Sequence, residues 1–458
     1  MRQVKDRLKA IDMDKVKSSL NSGFKYLHTN CFSFFKSMIN IFIICYNISI
    51  EFYKYKFHHN NRLIMIKDAA HKIESVNIVY VKLFQIIANN TEYLDDRERN
   101  FLIKYTDQVN YNDKDIDYNT LNKIRKNKDI FIEETPCNSG IVALAYRGFY
   151  KDEKIIVKLL KLDIESRIMF AISDLELLFS IFKFIPYLKN LNLLKLLNDN
   201  KNTLIDQIHF NKEIENIDRF YKANCNIKWI EIPKVYSELS DELSNGSNNI
   251  IVMNYIEGYK FNEINDDNEK EKYARMIITF SLVSLLYNSA IHCDLHSGNI
   301  IFIKKYDEIE NVTQCKLGII DFGIVIHPSR DNQNDYYNFI KCMFIDNKYT
   351  IDILNSSLFE PKSIINEMHE NDKLNFINKF NEILDANIVK NDINPNMIFK
   401  WFCLCKKYHL HFNDETNKLI LSLLSCSETV RSLLGNNWID IYKEELEEIN
   451  KINKLLEL

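Results

Sequence analysis

The chain contains 458 residues with a net charge of −4, of which 46% are hydrophobic and 27% charged. Its 9 glycines and 6 prolines are too few for collagen-like repeats, long disordered linkers or a turn-dense β-sandwich, because those structures depend on these residues. The slightly acidic charge excludes a broadly basic surface, and we expect no nucleic-acid partner. Ten dispersed cysteines indicate free thiols in a reducing intracellular compartment. The composition predicts a helix-rich α+β protein.

Residues 1–61 form a first predicted segment that is basic and then apolar. Seven Lys or Arg and three Asp lie in the first 30 residues, and an uncharged run of 14 residues follows from Ser37 to Ile50. This run is shorter than the roughly 20 apolar residues that a bilayer-spanning helix needs. It predicts either a buried helix or a helix that lies along a membrane surface, and the sequence leaves both open.

The second segment, residues 62–128, is predicted to begin with helices. Ile73, Val76 and Val79 recur at helical spacing, which is typical of a helix with one buried face. The stretch from Asn110 to Lys128 is charged and rich in asparagine, without a clear period. We therefore expect a boundary in that stretch.

The third segment, residues 129–258, is predicted to mix strands and helices. Two apolar and β-branched runs predict a hairpin, two long apolar stretches predict helices on either side of Pro186, and Thr203–Asp206 matches a capping box that opens a further helix ending near Tyr221. Two more strands are predicted after this helix. The hairpin is predicted at Gly140–Tyr150 and Lys154–Lys161, the two helices within Leu175–Leu197, and the later strands at Pro233–Leu239 and Ile250–Ile256.

The fourth segment, residues 259–458, is predicted to be mainly helical. Tyr273–Tyr287 is mostly apolar and predicts a helix buried on most sides. Short runs at Asn299–Ile303 and Lys316–Ile320 predict a second hairpin. Amphipathic helices are expected from about Asp335 onwards.

The motif with the clearest chemistry is His292-Cys-Asp294-Leu-His296-Ser-Gly-Asn299, followed 22 residues later by Asp321-Phe-Gly323. A carboxylate with an asparagine five positions later, in a loop after a buried helix, is typical of phosphoryl transfer. Asp294 is the candidate catalytic base, because its carboxylate can orient or deprotonate a hydroxyl nucleophile. Asn299 and Asp321 are candidate Mg²⁺ ligands, since hard oxygen donors suit this cation.

Phosphoryl transfer of this kind also requires a lysine on a strand and a glutamate on a helix to position the phosphates of ATP. Lys158 lies on the second strand of the predicted hairpin, and Glu213 lies on the predicted helix after Thr203. A G-x-G-x-x-G loop is missing, and Asn138, Ser139 and Gly140 stand before the first strand instead. These three residues tolerate unusual dihedrals and leave backbone N–H groups accessible to phosphates.

With these motifs in this order, the chain resembles the UbiB family of atypical kinases, also called aarF-domain-containing kinases, which is linked with coenzyme Q. The family's catalytic motif is similar to His292–Asn299, and its Glu-Ala-x-Asn motif is similar to Glu213-Ile-Glu-Asn216. Its Lys-x-Gly-Gln motif resembles Lys82-Leu-Phe84-Gln85, in which Phe84 replaces the glycine. The family's alanine-rich nucleotide loop is replaced by the residues from Asn138 to Gly140.

The resemblance implies a two-lobed protein-kinase-like fold with an N-terminal helical extension, helices inserted in the N-lobe and extra C-terminal helices. It further implies that Lys82 and Gln85 point into the site, that ATP and Mg²⁺ are the cofactors, and that the protein serves quinone or lipid metabolism at a membrane. A lipid or isoprenoid partner follows from the same likeness. Two alternatives remain: a small-molecule kinase of the aminoglycoside or choline type, and a nucleotide-binding pseudokinase scaffold.

Overall fold

The structure is a computed structural model. It describes residues 36–57, 61–81, 109–182, 205–307, 312–346, 348–388 and 395–455, with short additions at 95, 97–98, 101–102, 194, 197, 201–202 and 393. Within these ranges the helices, numbered in chain order, are α1 (36–57), α2 (Arg62–Val76), α3 (Tyr118–Lys126), α4 (Ile164–Phe182), α5 (Phe210–Asn224), α6 (Ser237–Ser244), α7 (Asp267–Tyr287), α8 (Arg330–Lys341), α9 (Ile351–Asn355), α10 (Lys362–Glu367), α11 (Glu370–Ile388), α12 (Pro395–Lys407), α13 (Asp414–Leu434) and α14 (Trp438–Leu455).

The strands of the described ranges form four sheets. The largest has five antiparallel strands in the order β1-β3-β4-β6, with β2 paired to β3; β8 and β9 form a hairpin joined by a parallel β5, and β10–β7 and β11–β12 are short pairs. The strands are β1 (Ile130–Ile132), β2 (Asn138–Ser139), β3 (Ala143–Tyr150), β4 (Glu153–Leu160), β5 (Ile230–Glu231), β6 (Ile250–Asn254), β7 (Ile291–His292), β8 (Ile300–Asp307), β9 (Val312–Ile319), β10 (Val325–Ile326), β11 (Phe359–Glu360) and β12 (His411–Phe412).

The chain divides into two compact units: residues 1–83 with 163–202, and residues 84–162 with 203–458. These units do not coincide with the four segments predicted from the sequence. In the first unit, the Tyr80 hydroxyl and the Asn40 side-chain amide both donate hydrogen bonds to Oδ2 of the buried Asp174. These bonds connect α1 and the turn after α2 to the inserted helix α4.

The second unit is built around two apolar cores. One lies between the five-stranded sheet and the helices α3 and α6, where Val157 of β4 packs in a cluster with Leu121 and Leu243. The other surrounds α7, whose side chains are buried from Tyr273 to Leu285 against the β8–β9 hairpin and the C-terminal helices. Burial on most sides explains why the sequence of α7 is apolar all round rather than along one stripe.

The two predicted hairpins and the helix Tyr273–Tyr287 are confirmed, as β3–β4, β8–β9 and α7. The strand predicted at Pro233–Leu239 is wrong. Helix α6 begins at Ser237, and its Leu239 and Leu243 lie about one helical turn apart and face the sheet core. Val235 contributes only an isolated bridge to Met253.

Two further predictions also differ from the structure. The expected boundary at 110–128 contains helix α3, whose N-cap Asp117 accepts a hydrogen bond from the backbone N–H of Thr120 and whose Leu121 is buried. The helix that carries Glu213 begins at Phe210 with an uncapped His209, and Thr203 and Leu204 of the predicted capping box lie outside the described residues. Helix α4 covers the start of the predicted pair at 175–197, and Pro186 lies outside the described residues.

Candidate active site

Three charged side chains from distant parts of the chain meet at one point. Lys158 Nζ lies 2.6 Å from Glu213 Oε1 and 2.8 Å from Asp321 Oδ2. The side chains of Glu213 and Lys158 are 6% and 14% exposed, whereas that of Asp321 is 35% exposed. The arrangement is an ion triplet with one accessible carboxylate at its open side.

Strand and helix periodicity place the first two members of this triplet. Along β4, Val157 and Leu159 are buried in the sheet core, so Lys158 between them points to the opposite face. On α5, Glu213 lies on the same helical face as Phe210, Ile217 and Phe220, all of which are buried. The buried apolar residues of β4 and α5 therefore fix the directions in which Lys158 and Glu213 point.

Burial and charge act in opposite directions in this triplet. Burial alone would lower the pKa of Lys158, but the charges of Asp321 and Glu213 outweigh it and raise that pKa. Burial opposes ionisation of Asp321, yet Lys158 and the Gly323 N–H hold its pKa below the ordinary value. For Glu213, burial dominates over Lys158 and raises the pKa. Lys158 thus favours the ionised forms of both carboxylates, against the burial that opposes their ionisation.

The loop with Asp294 is held by the imidazole of the buried His292. Its Nδ1 accepts a hydrogen bond from the Asp294 N–H at 3.3 Å, so the proton lies on Nε2, which donates to the Asp321 carbonyl at 2.5 Å. Burial lowers the pKa of His292 and so favours this neutral form. One ring therefore connects the backbone of the candidate base to the backbone of the candidate metal ligand.

Asn299 and Asp321 lie at the same end of the β8–β9 hairpin, where Ile300 pairs with Ile319 and the Ile320 N–H donates to the Asn299 carbonyl. The Asn299 side-chain amide donates to the Asp294 carbonyl at 2.8 Å, which leaves its amide oxygen as the free donor atom for a cation. An amide oxygen and an accessible carboxylate fit Mg²⁺, because this ion takes few protein ligands and completes its shell with water and phosphate oxygens. The described residues contain no cluster of three or more His, Cys, Asp or Glu side chains with metal-site geometry.

The candidate nucleotide loop aligns with Lys158 across the sheet. Asn138 pairs with Ala145, and Ala145 pairs with Lys158, so Asn138 and Lys158 are two strands apart, about 10 Å. The side chain of Ser139 is buried on the opposite face, and only its backbone is available at the cleft. A Cβ added to Gly140 would find its nearest neighbour, the Ala143 carbonyl oxygen, at 3.7 Å, so space does not require a glycine there.

Lys82 and Gln85 lie outside the described residues, and their predicted place in the site stays a prediction. Two contacts were missed by sequence reasoning. The Asn216 side-chain amide donates to the Phe322 carbonyl at 3.0 Å, and its Oδ1 lies 3.1 Å from His327 Nε2. The last residue of the Glu213–Asn216 motif thereby joins α5 to the segment after β9, and the motif itself was the available signal.

A model of the ABC1 atypical kinase-like domain matches residues 120–353, just over half of the chain. The chain belongs to the ABC1 atypical kinase-like family. The predicted family and the predicted kinase-like α+β fold with additional helices are thereby confirmed. The matched range contains Lys158, Glu213, Asp294, Asn299 and Asp321, and every contact among them described above.

Several curated relatives carry names from the same family. The chain is 24% identical over 267 residues to a probable protein kinase UbiB of Haemophilus ducreyi, covering 54% of this chain and 47% of the relative. It is 23% identical over 219 residues to aarF domain-containing protein kinase 1 of Gallus gallus, covering 46% and 39%. The matches thus span half or less of the length of these relatives.

Two solved structures are also similar to the chain. One is the Rv3197–erythromycin complex from Mycobacterium tuberculosis, with 13% identity and a TM-score of 0.36, covering 62% of this chain and 69% of the other. The second is the Rio2 kinase–ADP/Mg²⁺–phosphoaspartate complex from Chaetomium thermophilum, with 14% identity and a TM-score of 0.31, covering 49% and 60%.

Proposed function

We propose that this family member uses Mg-ATP, either as an atypical kinase or as an ATPase. The observation that carries the proposal is the Lys158–Glu213–Asp321 triplet beside a loop that presents Asp294 and Asn299. In this proposal Lys158 binds the phosphates, Asn299 and Asp321 hold Mg²⁺, and Asp294 accepts a proton from the attacking hydroxyl or water. Bound Mg²⁺ would offset the negative charge that develops on the transferred phosphoryl group.

The presence of all these groups favours turnover over a pseudokinase scaffold. The side chain of Asp294 is 25% exposed, and its Oδ2 lies 3.8 Å from His296 Nε2, so the carboxylate is accessible to a nucleophile. A scaffold that only binds nucleotide has no need of an accessible carboxylate in this loop. The accessible Asp294 therefore supports catalysis.

Asp321→Asn tests the metal assignment. Ligands that bind only the native state raise the melting temperature, and we expect Mg-ATP to do so for the wild-type protein. Asn at this position keeps an oxygen but loses the charge, so the part of the thermal shift that depends on Mg²⁺ should disappear. Differential scanning fluorimetry with ATP, with and without Mg²⁺ or EDTA, measures it.

The matched control is Asp331→Asn, which changes an exposed aspartate in the first turn of α8 and should respond as the wild type does. A wild-type response from Asp321→Asn would show that the metal is held elsewhere. Absence of any Mg-ATP shift in the wild type, together with no turnover, would contradict the proposed function itself.

We further propose that the protein works at an anionic membrane surface inside a reducing compartment, on a lipid or isoprenoid acceptor. Helix α1 supports this proposal because its outward side is largely apolar, while polar side chains share its inward side with Ile41 and Ile44. Its outward side carries Phe42, Tyr46 and Phe57, which are 70%, 57% and 61% exposed. Its buried Glu51 is paired inward with Lys72. A water-exposed helix normally shows the opposite pattern.

The positive charge near α1 favours an anionic lipid surface over an uncharged apolar partner. Lys36 and Lys54 lie near the two ends of α1, and the first 35 residues carry seven Lys or Arg against three Asp, in a chain whose net charge is −4. A basic stretch beside an exposed aromatic surface is typical of helices that lie on anionic bilayers. No helix within the described ranges is long and apolar enough to span a membrane.

Vesicle flotation of the full-length protein tests this proposal. We expect binding to phosphatidylcholine vesicles that contain phosphatidylglycerol, weaker binding to phosphatidylcholine alone, and loss of binding in Phe42→Asp/Tyr46→Asp. These two rings stack with centroids 6.2 Å apart. The control is Phe131→Asp/Phe149→Asp, a second exposed aromatic pair with centroids 6.5 Å apart. Equal loss in both double variants, or no flotation of the wild type, would refute the membrane proposal.

A further inference from the structure

Helix α13 contacts the loop that carries Asp294, although it lies beyond the family match at residues 120–353. The Ser422 hydroxyl donates to the His292 carbonyl at 2.8 Å, and the single proton of the Thr429 hydroxyl is shared between the Leu295 carbonyl at 3.3 Å and the Ser425 carbonyl of its own helix at 3.2 Å. Both hydroxyls are buried, at 2% and 3% residue exposure. Ser422 and Thr429 are seven residues apart, so they lie on one face of the helix two turns apart.

The carbonyls that accept these hydrogen bonds belong to His292 and Leu295, which lie on either side of Asp294 in the sequence. Cys293 and Leu295 on either side of it are buried, whereas Asp294 itself stays partly exposed. The backbone is therefore held before and after the candidate base, while its side chain remains free to meet a substrate. A buried carbonyl that loses its donor is costly, so these two bonds strongly favour one placement of the loop.

The hydrogen bond from Ser422 to His292 also affects the position of Asp321. Ser422 binds the carbonyl of His292, and the imidazole of the same residue donates to the Asp321 carbonyl at 2.5 Å. One hydroxyl on α13 thus acts on both the loop with the base and the segment with the metal ligand.

The helix is itself anchored, as a positioning element must be. At its N-terminus, Asn413 accepts a hydrogen bond from the Thr416 N–H, and Glu415 accepts bonds from Tyr336 and Asn332 of α8 at 2.9 and 3.0 Å. Along its length, Leu419, Leu423 and Val430 are buried in the core around α7. Its hydroxyls are therefore presented from a fixed support.

We infer that α13 is a positioning element of the active site and that Ser422 and Thr429 are positioning residues for Asp294. The kinetic test of this inference rests on the proposed function, whereas the hydrogen-exchange test does not. The inference assigns a positioning role in the active site to a helix after residue 353. Ser422 and Thr429 touch neither substrate nor metal and act through the backbone of residues 292–295.

The test compares Ser422→Ala and Thr429→Val with a control on the same helix, Ser427→Ala. Ser427 is also buried, but its hydroxyl donates to the Leu424 carbonyl of its own helix. We expect kcat to fall about tenfold in Ser422→Ala, the rate equivalent of one neutral hydrogen bond, and about threefold in Thr429→Val, because the Thr429 proton is shared with the Ser425 carbonyl. The KM for ATP should stay within twofold in Thr429→Val, because the Leu295 carbonyl, unlike that of His292, belongs to a residue with no described bond to the metal-ligand segment. Thr429→Ser keeps a hydroxyl and should restore the rate.

A second measurement does not depend on turnover. Amide hydrogen exchange of peptides that cover residues 291–299 should become at least fivefold faster in Ser422→Ala and Thr429→Val, and should not change in Ser427→Ala. Unchanged exchange and an unchanged kcat, or equal effects in all three variants, would overturn the inference. If the wild type shows no turnover at all, the proposed function fails, and the exchange result still decides the role of α13.

Discussion

Asp294→Asn is expected to reduce ATP turnover by about 10²–10⁴-fold, the range measured for loss of a general base. Asparagine keeps the shape and the accepting oxygen but cannot take a proton. The backbone N–H of residue 294 can still donate to His292 Nδ1, and its carbonyl can still accept from Asn299, so the loop should keep its geometry. Because the base acts on the nucleophile, the dissociation constant for Mg-ATP should change by less than about threefold.

Steady-state phosphate release measures the turnover rate, and calorimetry measures the dissociation constant for Mg-ATP. Asp331→Asn, the exposed aspartate on α8, is the control and should retain the wild-type rate. If Asp294→Asn loses affinity and rate together, the aspartate has a structural role and the assignment as base is wrong.

Lys158→Met is expected to lower both nucleotide affinity and stability. Methionine preserves the length and the apolar stem, but Glu213 is then left as a buried carboxylate without its cation. Removal of one partner from a buried ion pair costs about 3–5 kcal/mol of unfolding free energy. The affinity for ATP should fall as well, because the phosphates lose their nearest positive side chain.

The pH dependence of this variant has a definite sign. Burial already raises the pKa of Glu213, and loss of Lys158 should raise it further above the value in the unfolded chain. Protonation then stabilises the folded state, so the stability deficit of Lys158→Met should be large at pH 8 and smaller at pH 5. Urea unfolding at the two pH values measures the difference.

Two further variants test whether the stability loss in Lys158→Met arises from the unpaired Glu213 carboxylate. Lys154→Met lies on the same strand, and the ion pair of Lys154 with Glu257 at 3.4 Å involves side chains that are 54% and 76% exposed, so the cost should be below about 1 kcal/mol. Lys158→Met/Glu213→Gln removes the buried charge and should recover most of the lost stability. No recovery in the double variant would mean that the loss arises from packing and not from the unpaired carboxylate.

The order of motifs along the chain was sufficient to predict the family and the kinase-like fold, and to name Lys158, Glu213 and Asp321, which the structure brings together. Lys158 on a strand, Glu213 on a helix and the pair Asp294 and Asn299 in one loop could be assigned because each depends on local spacing. Strand alternation, helical period and a short loop motif are all properties of neighbouring residues. The same local rule failed at Pro233–Leu239, where a short run with few apolar residues was predicted to be a strand and a helix begins at Ser237.

The tertiary structure decided which groups hold those residues in place. Asn216 on Phe322, the protonated nitrogen of His292, and Ser422 and Thr429 on the loop are hydrogen bonds between residues that are 29 to 134 positions apart. Helix α1 likewise has the sequence of an ordinary apolar run, and only the structure shows that Ile41 and Glu51 face inward while Phe42 is exposed. Such features depend on the alignment of buried donors and acceptors across the fold, and a single sequence carries no periodic signal for that alignment.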